Sequence, residues 1–325
     1  MTTKWGLLST ARINDYIISA AHKSDRVQIT AVASRDGARA EAYARDNEIP
    51  RAFGSYEELL TDPDIDAVYI PLPNSMHVEW TVRALEAGKH VLCEKPLSRH
   101  AADVEKAFSI ADRTGRLLME AFMYRHNPQT SRLKELVQSG AVGTPQLVRA
   151  AFSFNLTRPN DIRLSAELEG GSLMDVGCYC VSGTRNLFGE PLTVFGEQVT
   201  VPSGVDQVFS GTMRMADDVL ASFDSALSLT TRDELEIIGD EASLFVDDPW
   251  HCRSPGIQRR ADDKVEEINL AVADSYQLQL ENFTDAITGQ AEPRLGREDA
   301  FGQARAIEAL YRSADEKRPV NITEV

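Results

Sequence analysis

The alternation of strand and helix over residues 1–122 restricts this chain more than any other feature. Apolar, β-branched runs at Trp5–Ser9, Val27–Ser34, Ala67–Ile70, His90–Cys93 and Leu117–Ala121 read as strands. Between them, Ile13–Ala21, Ala38–Arg45, Tyr56–Leu60, His77–Ala87 and Ala101–Arg113 read as helices. Gly88 closes His77–Ala87 as a left-handed C-cap would, and Gly115 stops the helix after it. Strands spaced by single helices pair in parallel. The pattern predicts an α/β fold built on a doubly wound parallel sheet. Such sheets bind ligands in the crevice outside the carboxyl ends of their strands.

One strand end is notable for its chemistry. His90–Cys93 runs straight into Glu94-Lys95-Pro96, so a lysine leaves the sheet at a carboxyl end and a proline stiffens the chain beside it. The first strand-to-helix turn is where G-x-G-x-x-G would bind phosphate. Here it reads Ser9-Thr10-Ala11-Arg12-Ile13-Asn14, with every glycine replaced. The physical need is milder: small side chains that let backbone N–H groups approach a pyrophosphate at a helix N-terminus. Ser9 and Ala11 are small, Asn14 suits an early helical position, and Arg12 can lie along a phosphate. An ordinary β–α turn is the competing explanation.

The end of the second strand reads Ser34-Arg35-Asp36, with Arg39 one turn later. A hydroxyl and guanidinium groups suit a 2′-phosphate, which points to NADP. Asp36 could instead accept a ribose, so NAD is the alternative. After the third strand, Pro71-Leu72-Pro73-Asn74-Ser75-Met76-His77 forms an extended loop that would pass the nicotinamide side of the crevice. Pro71, Leu72, Asn74, His77, Glu94 and Lys95 are the candidate cofactor contacts there. Asn74 or Ser75 is expected to cap the next helix, and His77 to pack or cap rather than shuttle protons.

A chain of 325 residues is long for one core and suggests two domains, 1–122 and 123–325. After the helix opened by Asn127-Pro128, the runs Gln146–Phe154, Val194–Thr200, Val208–Met215, Val219–Leu229 and Leu235–Gly239 come with few helices between them. They predict an α+β domain with an open, mostly antiparallel sheet. One open face would serve a homo-oligomer, a dimer above all. Residues 247–265 read as a polar loop or ragged hairpin, and Arg297–Ser313 as a closing helix that packs back on the first domain.

The net charge of −16 argues against nucleic acid and anionic membranes as partners. Four cysteines without a CxxC pair read as free thiols in a reducing compartment. With no signal peptide and no long apolar run, the sequence suggests a cytoplasmic protein. No His/Cys cluster suggests a metal.

Pro71-x-Pro73-Asn74-x-x-His77, Glu94-Lys95-Pro96 and Gly170-Gly171-Ser172-Leu173-Met174-Asp175-Val176-Gly177-Cys178-Tyr179 occur in an order that resembles the glucose-fructose oxidoreductase and inositol dehydrogenase (Gfo/Idh/MocA) family. Glu120–Arg125 and the tyrosine at 179 look most like the branch of NADP-dependent D-xylose 1-dehydrogenases and dimeric dihydrodiol dehydrogenases. The resemblance implies a Rossmann domain and, after it, an open-faced sheet domain. It implies hydride transfer between nicotinamide and a sugar or polyol, most plausibly an aldose oxidised at C1. A 1,5-anhydro sugar, a 3-keto sugar and a trans-dihydrodiol are alternative substrates. A nucleotide-sensing regulator without chemistry is the rival from another class; it should have lost Lys95 and Tyr179, and both are present.

Asp175 and Tyr179 are four residues apart on a helix expected over Leu173–Leu187, so they share a face. Ser172 is the expected cap. A phenol with a pKa of about 10 is a poor base at neutral pH, and a nearby ammonium lowers that value. These properties suggest Tyr179 as general acid/base, Lys95 as its electrostatic partner and Asp175 as an orienting carboxylate. The reverse assignment, with Lys95 moving the proton, stays open. Arg125 and Arg163 are candidate substrate contacts; Arg163 could equally form a salt bridge.

Overall fold

The structure, a computed structural model, describes residues 2–325. Contacts group the chain into two units. One holds the chain up to Ser98, Ala102–Met123 and Asp274–Ala300; the other holds Arg99–Ala101, Tyr124–Ala273 and Phe301–Val325.

In the first unit, β1 (Thr3–Leu8), β2 (Val27–Ala33), β3 (Arg51–Phe53), β4 (Ala67–Ile70), β5 (His90–Cys93) and β6 (Leu118–Glu120) form one sheet in the order β3-β2-β1-β4-β5-β6. Every neighbouring pair is parallel. Connecting helices are α1 (Asn14–Ala21), α2 (Gly37–Asp46), α3 (Tyr56–Thr61), α4 (His77–Glu86) and α5 (Ala101–Thr114). Trp5, Leu7, Tyr69, Ile70 and Leu92 are fully buried, as a parallel sheet covered on both faces requires. β3 is a strand the sequence does not reveal, because three residues are too short to display a period. Strand order reverses between β1 and β4, the switch point at which such sheets bind ligands. β4 and β5 run in register from Ala67↔His90 to Ile70↔Cys93, so Pro71 and Glu94 leave the sheet at one level.

In the second unit, α6 (Pro128–Gln138) is capped by Asn127, whose side chain accepts from Gln129 N. It precedes β7 (Pro145–Asn155), α7 (Cys178–Phe188), β8 (Thr193–Thr200), β9 (Asp206–Arg214), β10 (Leu220–Ala226), β11 (Ser228–Gly239), β12 (Ser243–Asp247), β13 (Gly256–Ala261) and β14 (Lys264–Asn269). Two helices come next in the chain, α8 (Ser275–Ile287), which belongs to the first unit, and α9 (Arg297–Glu316), then β15 (Val320–Asn321). The nine-stranded sheet runs β14-β13-β12-β11-β7-β10-β9-β8-β15, antiparallel except for β7 with β10. The expected strand Val219–Leu229 is in fact two. β10 pairs with one edge of β7 and β11 with the other, and the chain crosses over at Leu227. Ala226 and Leu227 are both buried, so the apolar run continues through the crossing and hides it.

The boundary also differs from the expected one. Asp274–Ala300 groups with the first unit. In α8, Phe283 packs on Trp5 with ring centroids 5.8 Å apart, and Arg26 reaches Glu281 at 2.6 Å and Asp285 at 2.7 Å. The closing helix α9 starts in the first unit, where Arg297 lies over the Phe108 ring at 5.8 Å, and groups with the second unit from Phe301 onward. Among the described residues no helix is long and apolar enough to cross a membrane.

Candidate active site

At the switch point of the first unit, Ser9 has φ 149°, a conformation that glycine adopts freely and serine rarely. Ser9 Oγ donates to Pro71 O (3.4 Å) and accepts from Ala11 N (3.2 Å); Asn14 Nδ2 donates to Ser9 O (2.8 Å). The buried Asn14 thus ties down the turn that the missing glycines would have formed. The amides of Thr10, Arg12 and Ile13 take no protein acceptor among the described residues. Small side chains and available amides at a helix N-terminus fit a dinucleotide pyrophosphate.

Beyond β2, Ser34 is buried and its Oγ accepts from Asp36 N at 3.3 Å. Asp36 caps α2, accepting from Arg39 N at 3.1 Å, so its carboxylate already has a structural task. Arg35 and Arg39 are exposed, and neither they nor Arg12 makes an ion pair among the described residues. Arg35 stands beside the Tyr56 hydroxyl; burial pushes that phenol up and the Arg35 charge opposes it.

The loop after β4 meets the end of β5 through His77. Its ring nitrogens lie 2.8 Å from Pro96 O and 2.8 Å from Leu72 O, and it is 1% exposed. His77 therefore staples the loop to the Lys95–Pro96 segment and has no route to solvent for shuttling protons. Neither Asn74 nor Ser75 caps α4. A 3-10 turn, Asn74–Met76, leads into it, and its N-cap Met76 has no side-chain bond to offer. Glu94 accepts from Tyr69 Oη (2.5 Å) and from Lys95 N (3.3 Å), and the Lys95–Pro96 peptide is cis.

Burial lowers His77 from 6.5 to about 4, and the Lys95 charge adds to it against the two carbonyls. A folded pKa below the ordinary one means stability complete above pH 6.5 and lost as pH falls through about 4. Wild type is thus expected to lose its advantage over His77→Gln between those values. Thermal unfolding of both proteins at steps from neutral pH downward checks this. A constant gap would contradict it.

In the second unit, the helix expected over Leu173–Leu187 has two parts. Leu173–Gly177 is a π-helical turn and α7 continues from Cys178. Such wide turns recur at functional sites. A Cβ on Gly170 would lie 2.3 Å from Arg163 O. One on Gly171, at φ +115°, would lie 2.1 Å from Asp206 Oδ1. The glycine pair is thus required by close approach. Ser172 does not cap the helix. Its Oγ donates to Asp206 Oδ2 (2.8 Å), and Asp206 Oδ2 accepts from Leu173 N (2.7 Å), so Asp206 is the anchor. Tyr311 Oη donates to Asp206 Oδ1 at 2.7 Å. Burial pushes the Asp206 carboxyl up, against these donors. Asp206→Ala strands several buried donors and is expected to cost on the order of 3 kcal/mol. The readout is a lower urea midpoint, and an unchanged midpoint would contradict the anchor.

Arg163 forms the salt bridge. Its Nε donates to Asp175 Oδ2 at 2.6 Å and its Nη1 to Asp161 Oδ1 at 3.1 Å. Asp175, the stronger influence, and Asp161 raise its pKa against burial. Arg163 therefore acts on Asp175 directly. Arg125 Nη1 donates to Ser182 Oγ on α7 at 3.4 Å, and Tyr124 Oη donates to the same atom at 2.8 Å.

Tyr179 is 8% exposed and sits in an aromatic nest. Its ring centroid is 5.7 Å from Tyr124, 5.4 Å from Phe152 and 6.2 Å from Trp250. Trp250 comes from the segment expected to be a polar loop or ragged hairpin; its later part is the β13–β14 hairpin, but Trp250 is fully buried. A lone tryptophan in a polar run was the available signal. Asp233, Asp248 and His251 bring ligand-type atoms within 4.8 Å of one another. Their bonds to each other and to the loop account for that closeness.

Two family models match: the oxidoreductase family with an NAD-binding Rossmann fold over residues 4–122, and the GFO/IDH/MocA C-terminal domain over 130–245. The chain is 37% identical to D-xylose 1-dehydrogenase (NADP(+)) 2 of Haloferax volcanii, over 96% of this chain and 97% of that one. It is 34% identical to a trans-1,2-dihydrobenzene-1,2-diol dehydrogenase of Xenopus tropicalis, over 77% of each. Among solved structures it resembles KijD10, a 3-ketoreductase from Actinomadura kijaniata in complex with NADP and TDP-benzene. The TM-score is 0.92 at 27% identity, covering 96% of this chain and 98% of that one.

Proposed function

Because the chain belongs to the Gfo/Idh/MocA family of oxidoreductases, we propose that it is an NADP-dependent sugar dehydrogenase oxidising an aldose of the D-xylose type at C1 to a lactone. The observation that carries the cofactor half is the turn at Ser9, with its available amides, together with the arginines beyond β2 that lack a carboxylate partner. The relative from Haloferax volcanii supports the substrate half. A bound nicotinamide would supply the hydride acceptor. The residues proposed to act are Tyr179, for the hydroxyl proton, Asp175, steered by Arg163, for orienting the sugar, and Lys95, for the substrate oxygen. In β9, buried Phe209, Gly211 and Met213 alternate with exposed Ser210, Thr212 and Arg214, which leaves one sheet face for the homodimer proposed.

Arg35→Ser with Arg39→Ser removes the charge offered to a 2′-phosphate. It is expected to raise KM for NADP about 10–100-fold, since a bond to a charged group contributes roughly 1.5–3 kcal/mol. KM for NAD should hold. Equal losses for both cofactors would contradict the assignment. The substrate is tested by following NADPH absorbance with NADP and a panel of pentoses, hexoses, anhydro sugars and dihydrodiols. Pentose turnover well above the rest is the expected result.

A further inference from the structure

The Asp248–Ser254 loop does more than cover the sheet. Trp250 Nε1 donates to Ala151 O on β7 (3.1 Å), and its ring meets Tyr124 edge-on at 5.4 Å. A Cβ on Gly183 of α7 would lie 2.7 Å from that ring, so the helix carrying Tyr179 is shaped to admit it. The next residue, His251, meets Phe152 edge-on at 5.3 Å, and Phe152 meets Tyr179 edge-on at 5.4 Å. His251 Nδ1 lies 2.6 Å from Asp233 Oδ2 on β11 and 3.6 Å from Asp248 Oδ1. Asp233 Oδ1 also accepts from Trp250 N (3.2 Å), and Asp248 accepts from His251 N (3.2 Å) and Arg253 N (2.6 Å).

We propose that His251 is a positioning residue for Tyr179: its ion pair with Asp233 closes the Asp248–Ser254 loop, and the closed loop holds Trp250 and Phe152 against the Tyr179 ring. The role in catalysis rests on the proposed part of Tyr179 in proton transfer; the packing role does not.

The charged groups facing His251 are Asp233 from β11 and Asp248 and Arg253 from its own loop. Arg232, beside Asp233, is engaged with Asp224. Burial lowers His251, but Asp233 and Asp248 outweigh burial and Arg253, so its pKa is raised above 6.5. The pair is therefore made below that raised value and loosens as pH rises through it. The kcat profile then carries an alkaline limb belonging to His251.

The test combines two readouts on wild type, His251→Gln and Asp233→Asn. In near-UV circular dichroism, the aromatic signal of wild type should titrate with a midpoint above 6.5. That titration should vanish in His251→Gln and shift to lower pH in Asp233→Asn, with far-UV spectra unchanged. In turnover, His251→Gln should lower kcat about 10–100-fold, the cost of a small misplacement. It should leave KM for NADP unchanged and remove the alkaline limb. Near-UV spectra that are pH-independent and alike in wild type and either folded variant overturn the proposal, whether or not the protein turns over. The expected spectral titration without turnover of any sugar supports the packing role and counts against sugar oxidation instead. An Asp233→Asn profile superimposable on wild type overturns the ion pair's part.

Discussion

Tyr179→Phe is expected to lower kcat by about 10²–10⁴-fold, the usual worth of a general acid/base, while NADPH still binds. The substitution removes one oxygen and keeps the ring. The nest of Tyr124, Phe152 and Trp250 contacts that ring, so packing and fold should survive. Tyr179 is not among the residues proposed to hold the dinucleotide, the turn at Ser9–Asn14 and the arginines beyond β2, so cofactor affinity should hold. Steady-state kinetics with NADPH titration separates the two effects. Lys95→Met distinguishes the reverse assignment. If the lysine moves the proton, it should abolish turnover while Tyr179→Phe retains most of it. Near wild-type kcat in Tyr179→Phe would end the proposed role of the phenol.

Trp250→Ala should cost about 3–5 kcal/mol, the range for emptying a buried aromatic site. Trp250 is fully buried, donates to Ala151 O and fills the space left by Gly183. Alanine would leave a cavity against Tyr124 and an unmet carbonyl on β7. α7 cannot collapse into that cavity freely, because Gln303 Nε2 holds Cys178 O at 2.8 Å and Asp206 holds Leu173 N. Because Trp250 also walls Tyr179, kcat should fall with stability. Trp250→Phe should recover part of both. Urea unfolding at constant m-value provides the measurement. A loss below about 1 kcal/mol would mean the site repacks and the wall is dispensable.

Legibility tracked the length scale of the forces involved. The parallel sheet was readable because strand–helix alternation is a local pattern repeated several times. Glu94-Lys95-Pro96 and the Gly170-Gly171 helix were readable because function and steric need leave contiguous motifs. The turn at Ser9 was readable only as small side chains. Its φ of 149° and the Asn14 tie are tertiary facts. Asp206 escaped notice because the helix it anchors lies more than thirty residues earlier, and a lone aspartate at a strand start has no signature. Ser172 looked like the cap because caps are usually local. Trp250 was obscured by polar neighbours, whose charges bond to one another inside the loop. α8 looked like part of the second domain because sequence order says nothing of which core takes Phe283. The π-turn at Leu173–Gly177 was invisible because its residues carry ordinary helical spacing.

Hydride transfer from a sugar carbon is the central proposal, and isotope transfer addresses it without intermediaries. The protein is incubated with NADP and D-xylose carrying deuterium at C1, and the NADPH formed is examined by mass spectrometry. Deuterium in the NADPH, with slower turnover than for unlabelled sugar, is the predicted result. Unlabelled NADPH, or none formed from any aldose while NADPH binds tightly, would contradict it.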